Sequence, residues 1–266
     1  MVDDLRIWSL RIQSAGRFTL PPFRGPLIRG ILGAALFDQL GHAAANALFR
    51  GGGPPPFRLD TPVGPVEELH AGDTWQLRLV TFDPGVEEPL LDALETALAV
   101  GLGDARVPQE VLGVVTLAHG GENPSSHSPE LSPDFDGRGR EIFRMGGVRV
   151  RLASPVELKR RDEVIARPLL LDLLHGARHR VRALGIDAST LPRFEDEVEQ
   201  VPGRAREYHH RRHSAAQGRD YTLSGVVGSL AARPTEAQAA WLALAEVLGL
   251  GSDTAQGKGV IRVEPL

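Results

Sequence analysis

Apolar residues recur along this chain in two rhythms, one of about two residues and one of three to four. Leu5, Ile7, Leu10 and Ile12 keep the shorter period, and Trp8-Ser9 interrupts it, which predicts a first strand carrying a β-bulge. Phe18-Thr19-Leu20-Pro21-Pro22-Phe23 ends in a proline turn, and Gly25-Pro26 opens a helix with proline at its favoured first position. Leu27, Ile28, Ile31, Leu32, Ala35 and Leu36 carry the helical spacing, and Gly41-His42 follows them. Gly30 and Gly33 inside that helix each cost about 1 kcal/mol relative to Ala, so something is expected to pack closely there. Gly51 to Pro56 reads as a surface loop, Trp75 to Phe82 alternates as a strand, Leu90 to Leu102 reads as a helix, and Val111 to Leu117 as another strand. This order fits a ferredoxin-like α+β sandwich.

Residues 119 to 140 are rich in Gly, Pro, Ser and Asp and read as a long loop between halves. A second half follows. Val148 to Leu152 is strand-like, Arg167 to Leu184 is helical, and Tyr221 to Leu230 is strand-like with Gly225 and Gly228. Pro234-Thr235-Glu236-Ala237-Gln238 has capping-box spacing, and Ala237, Trp241, Leu244, Ala245 and Leu248 line one helix face that ends at Gly249. A closing strand alternates from Val260 to Glu264. The expected organisation is two tandem ferredoxin-like domains, residues 1–118 and 148–266, with 119–147 as linker or insertion.

Between the last helix and the last strand lies GLGSDTAQGKG, Gly249 to Gly259. A dinucleotide fingerprint places its glycines after a strand and before a helix, and the reversed order here excludes that class. A loop lacking side chains at Gly249, Gly251, Gly257 and Gly259 leaves room for another backbone, and nucleic acid phosphates suit its N–H groups. A glycine set chosen only for turn geometry is the competing explanation.

Composition narrows the choice further. The absence of cysteine excludes disulfides and thiolate ligands, no run reaches the ~18 apolar residues of a membrane span, and the acidic start MVDD is no signal peptide; a cytoplasmic location is expected. The net charge of −4 is unevenly spread. Seven basic residues stand against three acidic ones up to Arg58, six against sixteen from Leu59 to Val150, and fourteen against eleven from Arg151 to Asp220, so the positive charge gathers at the start and in the third quarter. Lys159 and Lys258 are the only lysines, which makes the basic surface an arginine surface, suited to bidentate phosphate contacts.

Arg212-His213-Ser214, Leu223 to Gly228, Trp241 and the terminal GLGSDTAQGKG together resemble the C-terminal region of the CRISPR-associated repeat-cleaving endoribonucleases of the RAMP superfamily. PPFRGPLIRGILGAAL, Gly101-Leu102-Gly103 with Arg106, and Ala153 to Lys159 extend the resemblance upstream more weakly. It implies two ferredoxin-like domains and a stem-loop repeat of precursor CRISPR RNA as substrate. It also implies cleavage without a metal or cofactor, leaving a 2′,3′-cyclic phosphate or its precursor, on an enzyme that stays with its product and joins other Cas proteins in an effector complex. One departure is that members are often basic overall, whereas this chain is acidic.

Cleaving RNA through its own 2′-OH requires a proton acceptor, alignment, and stabilisation of the charge gathering on phosphorus. His42 stands just after the first helix, where the resembling family commonly places its histidine, and is the first candidate for general base or acid; a helix-terminal histidine complementing the macrodipole is the alternative. Arg24 and Arg29 flank the start of the same helix and are candidates to hold the scissile phosphate. Arg204, Arg206, Tyr208, His209, His210, Arg211, Arg212, His213 and Arg219 form the densest basic run, read as RNA-binding with Tyr208 available to stack on a base. Gly249, Gly251, Ser252, Gly257, Lys258 and Gly259 are expected to meet the RNA backbone. No metal site is expected: His209 and His213 would share a helix face, but no Glu lies between them and the chain has no cysteine. A non-catalytic RAMP subunit that only binds CRISPR RNA remains an alternative to the nuclease, because the same surfaces serve both.

Overall fold

The structure, a computed structural model, describes residues 5–50, 53–116, 134–189, 191–194, 197–214 and 219–266. The chain is α+β and divides into two compact units. The first runs up to Asp134 and takes in Ala183–Ile186 and Ala255–Gly257; the second holds Phe135–Arg182, Asp187–Thr254 and Lys258–Leu266.

The first unit begins with β1 (Arg6–Ser14) and β2 (Phe18–Leu20), then α1 (Gly25–Arg50), β3 (Phe57–Asp60), β4 (Glu67–Leu69) and β5 (Thr74–Thr81). Helix α2 (Glu87–Val100) and β6 (Gln109–Thr116) complete it. Four strands form an antiparallel sheet in the order β3-β5-β1-β6, and β2 pairs with β4 in a small separate ladder. Leu10, Ile12, Leu77 and Leu79 on the sheet close a core with Ile28, Leu32 and Leu36 of α1 and Leu90, Leu94 and Leu98 of α2. Strand β1 is continuous through Trp8-Ser9, because Ser9 and Leu10 are both buried and the phase break needs no extra residue there. The bulge lies instead in β6, where Gly113 faces Arg11 and Val111 faces Ile12, leaving Leu112 as the extra residue.

The second unit contains α3 (Phe135–Arg144), β7 (Val148–Val156), the two-residue pair β8 (Lys159–Arg160) and β9 (Glu163–Val164), and α4 (Leu170–Ala183, whose last residue the division places with the first unit). Strands β10 (Glu199–Ser214) and β11 (Arg219–Arg233), helix α5 (Glu236–Leu248) and β12 (Ile261–Pro265) follow. Its antiparallel sheet has the order β10-β11-β7-β12. If α3 and the short pairs are set aside, each unit reads strand, helix, strand, strand, helix, strand, with its first strand between the third and fourth.

Helix α3 begins inside the stretch expected to be loop, residues 119 to 140. Its glycines mislead a reading by composition, because Gly139 packs against α5: an added Cβ would lie 3.0 Å from Ala240 Cα. Arg138 fixes the helix. Its Nε donates to Glu246 Oε2 at 2.8 Å and its Nη2 to the Val263 carbonyl at 2.7 Å. Residues 117–133, which carry most of the expected linker, lie outside the described residues. Among the described residues no helix is long and apolar enough to cross a membrane.

Candidate functional site

Two of the sequence-selected regions are exposed and one is buried. The first exposed region belongs to α1. Its first segment ends at Gly41, as the spacing implied, where φ 76° and ψ 167° are non-helical, and a second helical segment follows across the bend to Arg50. Few residues other than glycine adopt such a φ, so the sharp bend depends on residue 41. His42 therefore opens the second helical segment, exposed, its ring centroid 5.0 Å from that of Phe37.

Past the bend the second segment folds back, and Phe49 lies under the Arg29 guanidinium, 3.3 Å from Cζ to the ring centroid. Gly33 makes that possible. A Cβ there would sit 2.5 Å from Arg29 Nη1, which is the close packing that the helical glycine implied. Arg24 is held by Glu67 of β4 at 2.7 Å. The three candidates have different partners in this structure: Glu67 beside Arg24, the Phe49 ring under Arg29 and Phe37 beside His42.

The second exposed region is the β10–β11 hairpin. The basic run, for which the sequence pattern set no element, is strand, paired without interruption from Arg204↔Ser229 to Ser214↔Arg219. Strand β7 pairs with β11 only from Val226 to Ala232, so the pairs from Tyr208↔Gly225 outward form a two-stranded ribbon beyond the sheet. Charged residues are poor strand formers in isolation, and the pairing with β11 overrides that preference.

In the ribbon His209 faces Ser224, with Nδ1 3.1 Å from Ser224 Oγ and Nε2 3.4 Å from Glu207 Oε2. Arg211 bonds Asp220 Oδ2 through Nε at 3.1 Å and Nη2 at 2.6 Å. Tyr208 and His210 are half-buried, Arg204 and Arg206 exposed. Burial pushes the Tyr208 hydroxyl above its ordinary value against the lowering effect of Arg206. In a strand His209 and His213 stand about 13 Å apart along the backbone, beyond the span of one metal ion. The side chains of Arg212, His213 and Arg219 lie outside the described part of the structure.

The glycine loop is the buried region. Gly249, Gly257, Lys258 and Gly259 are all buried, and at Gly251, Gly257 and Gly259 the space of a side chain is taken up by the protein itself. A Cβ at Gly259 would sit 2.0 Å from the Leu250 carbonyl oxygen, and one at Gly251 2.2 Å from that of Glu157. Within the first unit, a Cβ at Gly257 would fall 1.9 Å from Thr61 Oγ1. The backbone N–H groups are used as well: Gly249 donates to Ala245, Leu250 to Gly259 and Gly259 to Pro155.

Lys258, expected at the RNA backbone, is 1% exposed; its ammonium donates to Glu157 and, at 3.3 Å, to Asp253. Burial alone would raise the Glu157 carboxyl, but Lys258 and then Lys159 outweigh it and hold it below its ordinary value. The surface of the loop is left to Ser252 and Asp253, with Gly251 half-exposed. Sequence reasoning missed Glu157 in this role because it stands 101 residues away from Lys258.

No protein-family model matches the chain, and no curated protein matches it. Solved structures do. The fold is shared with Cas6 proteins over nearly the whole chain. A Thermus thermophilus Cas6 in a product complex matches with a TM-score of 0.60 and 20% identity, over 99% of this chain and 100% of that one. A chain of a partial Cas6-RT-Cas1–Cas2 complex matches with a TM-score of 0.62 and 14% identity, over 99% of this chain and 47% of the other. A Cas6-related protein from Pyrococcus furiosus matches with a TM-score of 0.55 and 11% identity, over 98% of both chains.

Proposed function

We propose that this chain is a Cas6-type endoribonuclease that cleaves precursor CRISPR RNA within its repeats and stays bound to the product stem-loop. The observation that carries the reading is the full-length likeness to a Cas6 solved with its product. The strand order common to both units supports tandem ferredoxin-like domains, residues 1–118 and 148–266 joined by 119–147. The protein works in the cytoplasm, on transcripts of the array, and passes its product to other Cas proteins; the neighbour in a complex with Cas1 and Cas2 supports such company.

The chemistry needs no metal or cofactor. His42, exposed at the bend of α1, takes the proton from the 2′-OH as it attacks the adjacent phosphorus, or returns one to the departing 5′ oxygen. Arg29, stacked on Phe49, and Arg24, beside Glu67, stabilise the negative charge gathering on the scissile phosphate. The ribbon residues Arg204, Arg206, Tyr208, His209, His210, Arg211, Arg212, His213 and Arg219 neutralise the phosphates of the stem-loop, which supplies most non-specific affinity. From the glycine loop, Ser252 is the residue placed to touch RNA; Gly249, Gly251, Gly257, Lys258 and Gly259 shape the loop that presents it.

One observation favours a second reading, a non-catalytic CRISPR RNA-binding subunit: the two arginines expected at the scissile phosphate are already engaged, by Glu67 and by the Phe49 ring. The deciding experiment incubates the protein with the repeat RNA of its own array in EDTA, beside a 2′-deoxy substrate and a His42→Ala variant. Cleavage should persist in EDTA, vanish with 2′-deoxy at the cut, and slow about 10²- to 10⁴-fold in the variant. Tight binding without cleavage would establish the second reading instead.

A further inference from the structure

The second unit holds a cavity of about 370 Å³ at the foot of the ribbon. Leu152 of β7 and Ser229 of β11 form its floor, Arg167 to Leu169 before α4 form one wall, and Gly203 to Ala205 of β10 form the other. Two sheet irregularities meet there. Strand β10 inserts one extra residue between Val201 and Arg204, and β7 places three residues between Leu152 and Val156 where β11 places one. Gly203 and Gly228 let the strands close, since a Cβ at Gly203 would lie 1.5 Å from the Ser229 carbonyl oxygen and one at Gly228 2.0 Å from that of Arg204. Neither position can carry a side chain to fill the space. The walls are tied together by the Leu170 N–H, which donates to Gln200 Oε1 of β10 at 2.7 Å.

Two arginines and no acidic residue line the cavity, and the rest of the lining is mainly apolar, with Leu169 still 42% exposed. A ligand matching that surface is anionic on one side and apolar on another. We propose that the cavity receives one unstacked nucleotide of the bound RNA, its base against Pro168 and Leu169 and its phosphate beside Arg167 and Arg204. The volume sits near the lower end of small-ligand pockets, which suits a single nucleotide. Arg204 also lies on the strand that carries the ribbon's basic residues, so RNA following the ribbon reaches the cavity without leaving β10. Proteins that read RNA by sequence do so mostly on bases splayed out of the helix. The inference rests on the RNA-binding reading above and deepens it: the cavity would let this chain tell its own repeat from others.

The test is an abasic scan. Each nucleotide of the repeat RNA is replaced in turn by an abasic site, and binding is measured for the full-length wild type, Leu169→Asp and Arg167→Ala. Both substituted residues are exposed, so the fold should hold, and the thermal melt of each variant checks that it does. One abasic position should weaken wild-type binding several-fold, through the apolar burial of that base on Pro168 and Leu169 that is lost. Leu169→Asp should weaken the intact RNA similarly and lose nothing further at that position, because variant and abasic site remove the same contact. Losses that multiply independently at every position overturn the cavity assignment while leaving the RNA reading in place, provided wild type binds the repeat tightly. No binding of the repeat by wild type sinks both. Adenosine or uridine monophosphate competing as tightly as the RNA would assign the cavity to a free nucleotide and overturn the proposal.

Discussion

The glycine loop and the β10–β11 ribbon make an instructive pair, because the sequence ranks them one way and the structure another. The loop is the more distinctive string, with four glycines in fixed spacing around a lysine. Yet three of its glycines are consumed by contacts with Leu250, Glu157 and Thr61, and its lysine is buried between two carboxylates. The ribbon is only a run of charged residues with no spacing rule, but it is the part that projects beyond its sheet. A glycine pattern records that some backbone comes close, and cannot say whether that backbone is the protein's own. Charge left on an exposed two-stranded ribbon has fewer internal uses. The difference predicts that loop variants fail in stability and ribbon variants fail in RNA affinity.

The largest effect is expected at Gly259. Its φ of 80° and the 2.0 Å approach of the Leu250 oxygen oppose any side chain, so Gly259→Ala should lower stability by about 4 kcal/mol, strain and overpacking combined. Urea titration reads that loss. RNA affinity per folded molecule should stay at the wild-type level, and a drop beyond the unfolded fraction would return the loop to the RNA surface.

Glu157→Gln comes next, at about 3 kcal/mol, the lower end for a broken buried pair because Asp253 still faces Lys258. Its pH dependence has a definite sign. A carboxyl held below its ordinary value stabilises the fold above that value and loses the contribution as pH falls through the depressed one. The stability gap between wild type and Glu157→Gln should therefore be full at neutral pH and narrow below about pH 4.5. A gap that is constant from pH 7 to pH 3 would mean that the ion pair contributes nothing and only packing was lost.

How far the sequence foretold each region follows from the range of the contacts involved. The cap of α5 was legible because its chemistry is local: the Thr235 Oγ1 accepts from the Gln238 N–H at 3.3 Å, and Gln238 Oε1 accepts from the Thr235 N–H at 3.0 Å, three residues apart as the spacing implied. The bend at Gly41 was half legible, since glycine marks a possible break but the returning segment depends on Phe49 finding Arg29. Strand β10 was not legible. At the sheet edge its described side chains offer no buried face to impose a two-residue period, and only its register with β11 makes it a strand. The same holds for α3, whose anchor Arg138 needs Glu246, 108 residues on.

On the ribbon, Tyr208→Ala should weaken RNA binding by about 1 to 3 kcal/mol, the range for base stacking, whereas Tyr208→Phe should keep it. Equal losses in both would point to the hydroxyl and away from stacking.

The smallest effect is expected at Asp220, and it runs in the opposite direction. Arg211 donates twice to the Asp220 carboxylate, so one of the ribbon's cations meets RNA already neutralised. Removing that carboxylate charge in Asp220→Asn leaves the arginine's charge for a phosphate, and binding should tighten a few-fold at low salt. Its dependence on salt should steepen as well, by about 0.9 in the slope of log K against log salt, one more counterion released per duplex phosphate. Arg211→Ala should leave the slope almost where it was, because the protein loses a charge that Asp220 had cancelled. The two variants together separate a ribbon that binds by net charge from one that binds by named contacts. If Asp220→Asn weakens binding, Asp220 holds Arg211 in a pose the RNA requires, and the ribbon is preorganised as the loop is.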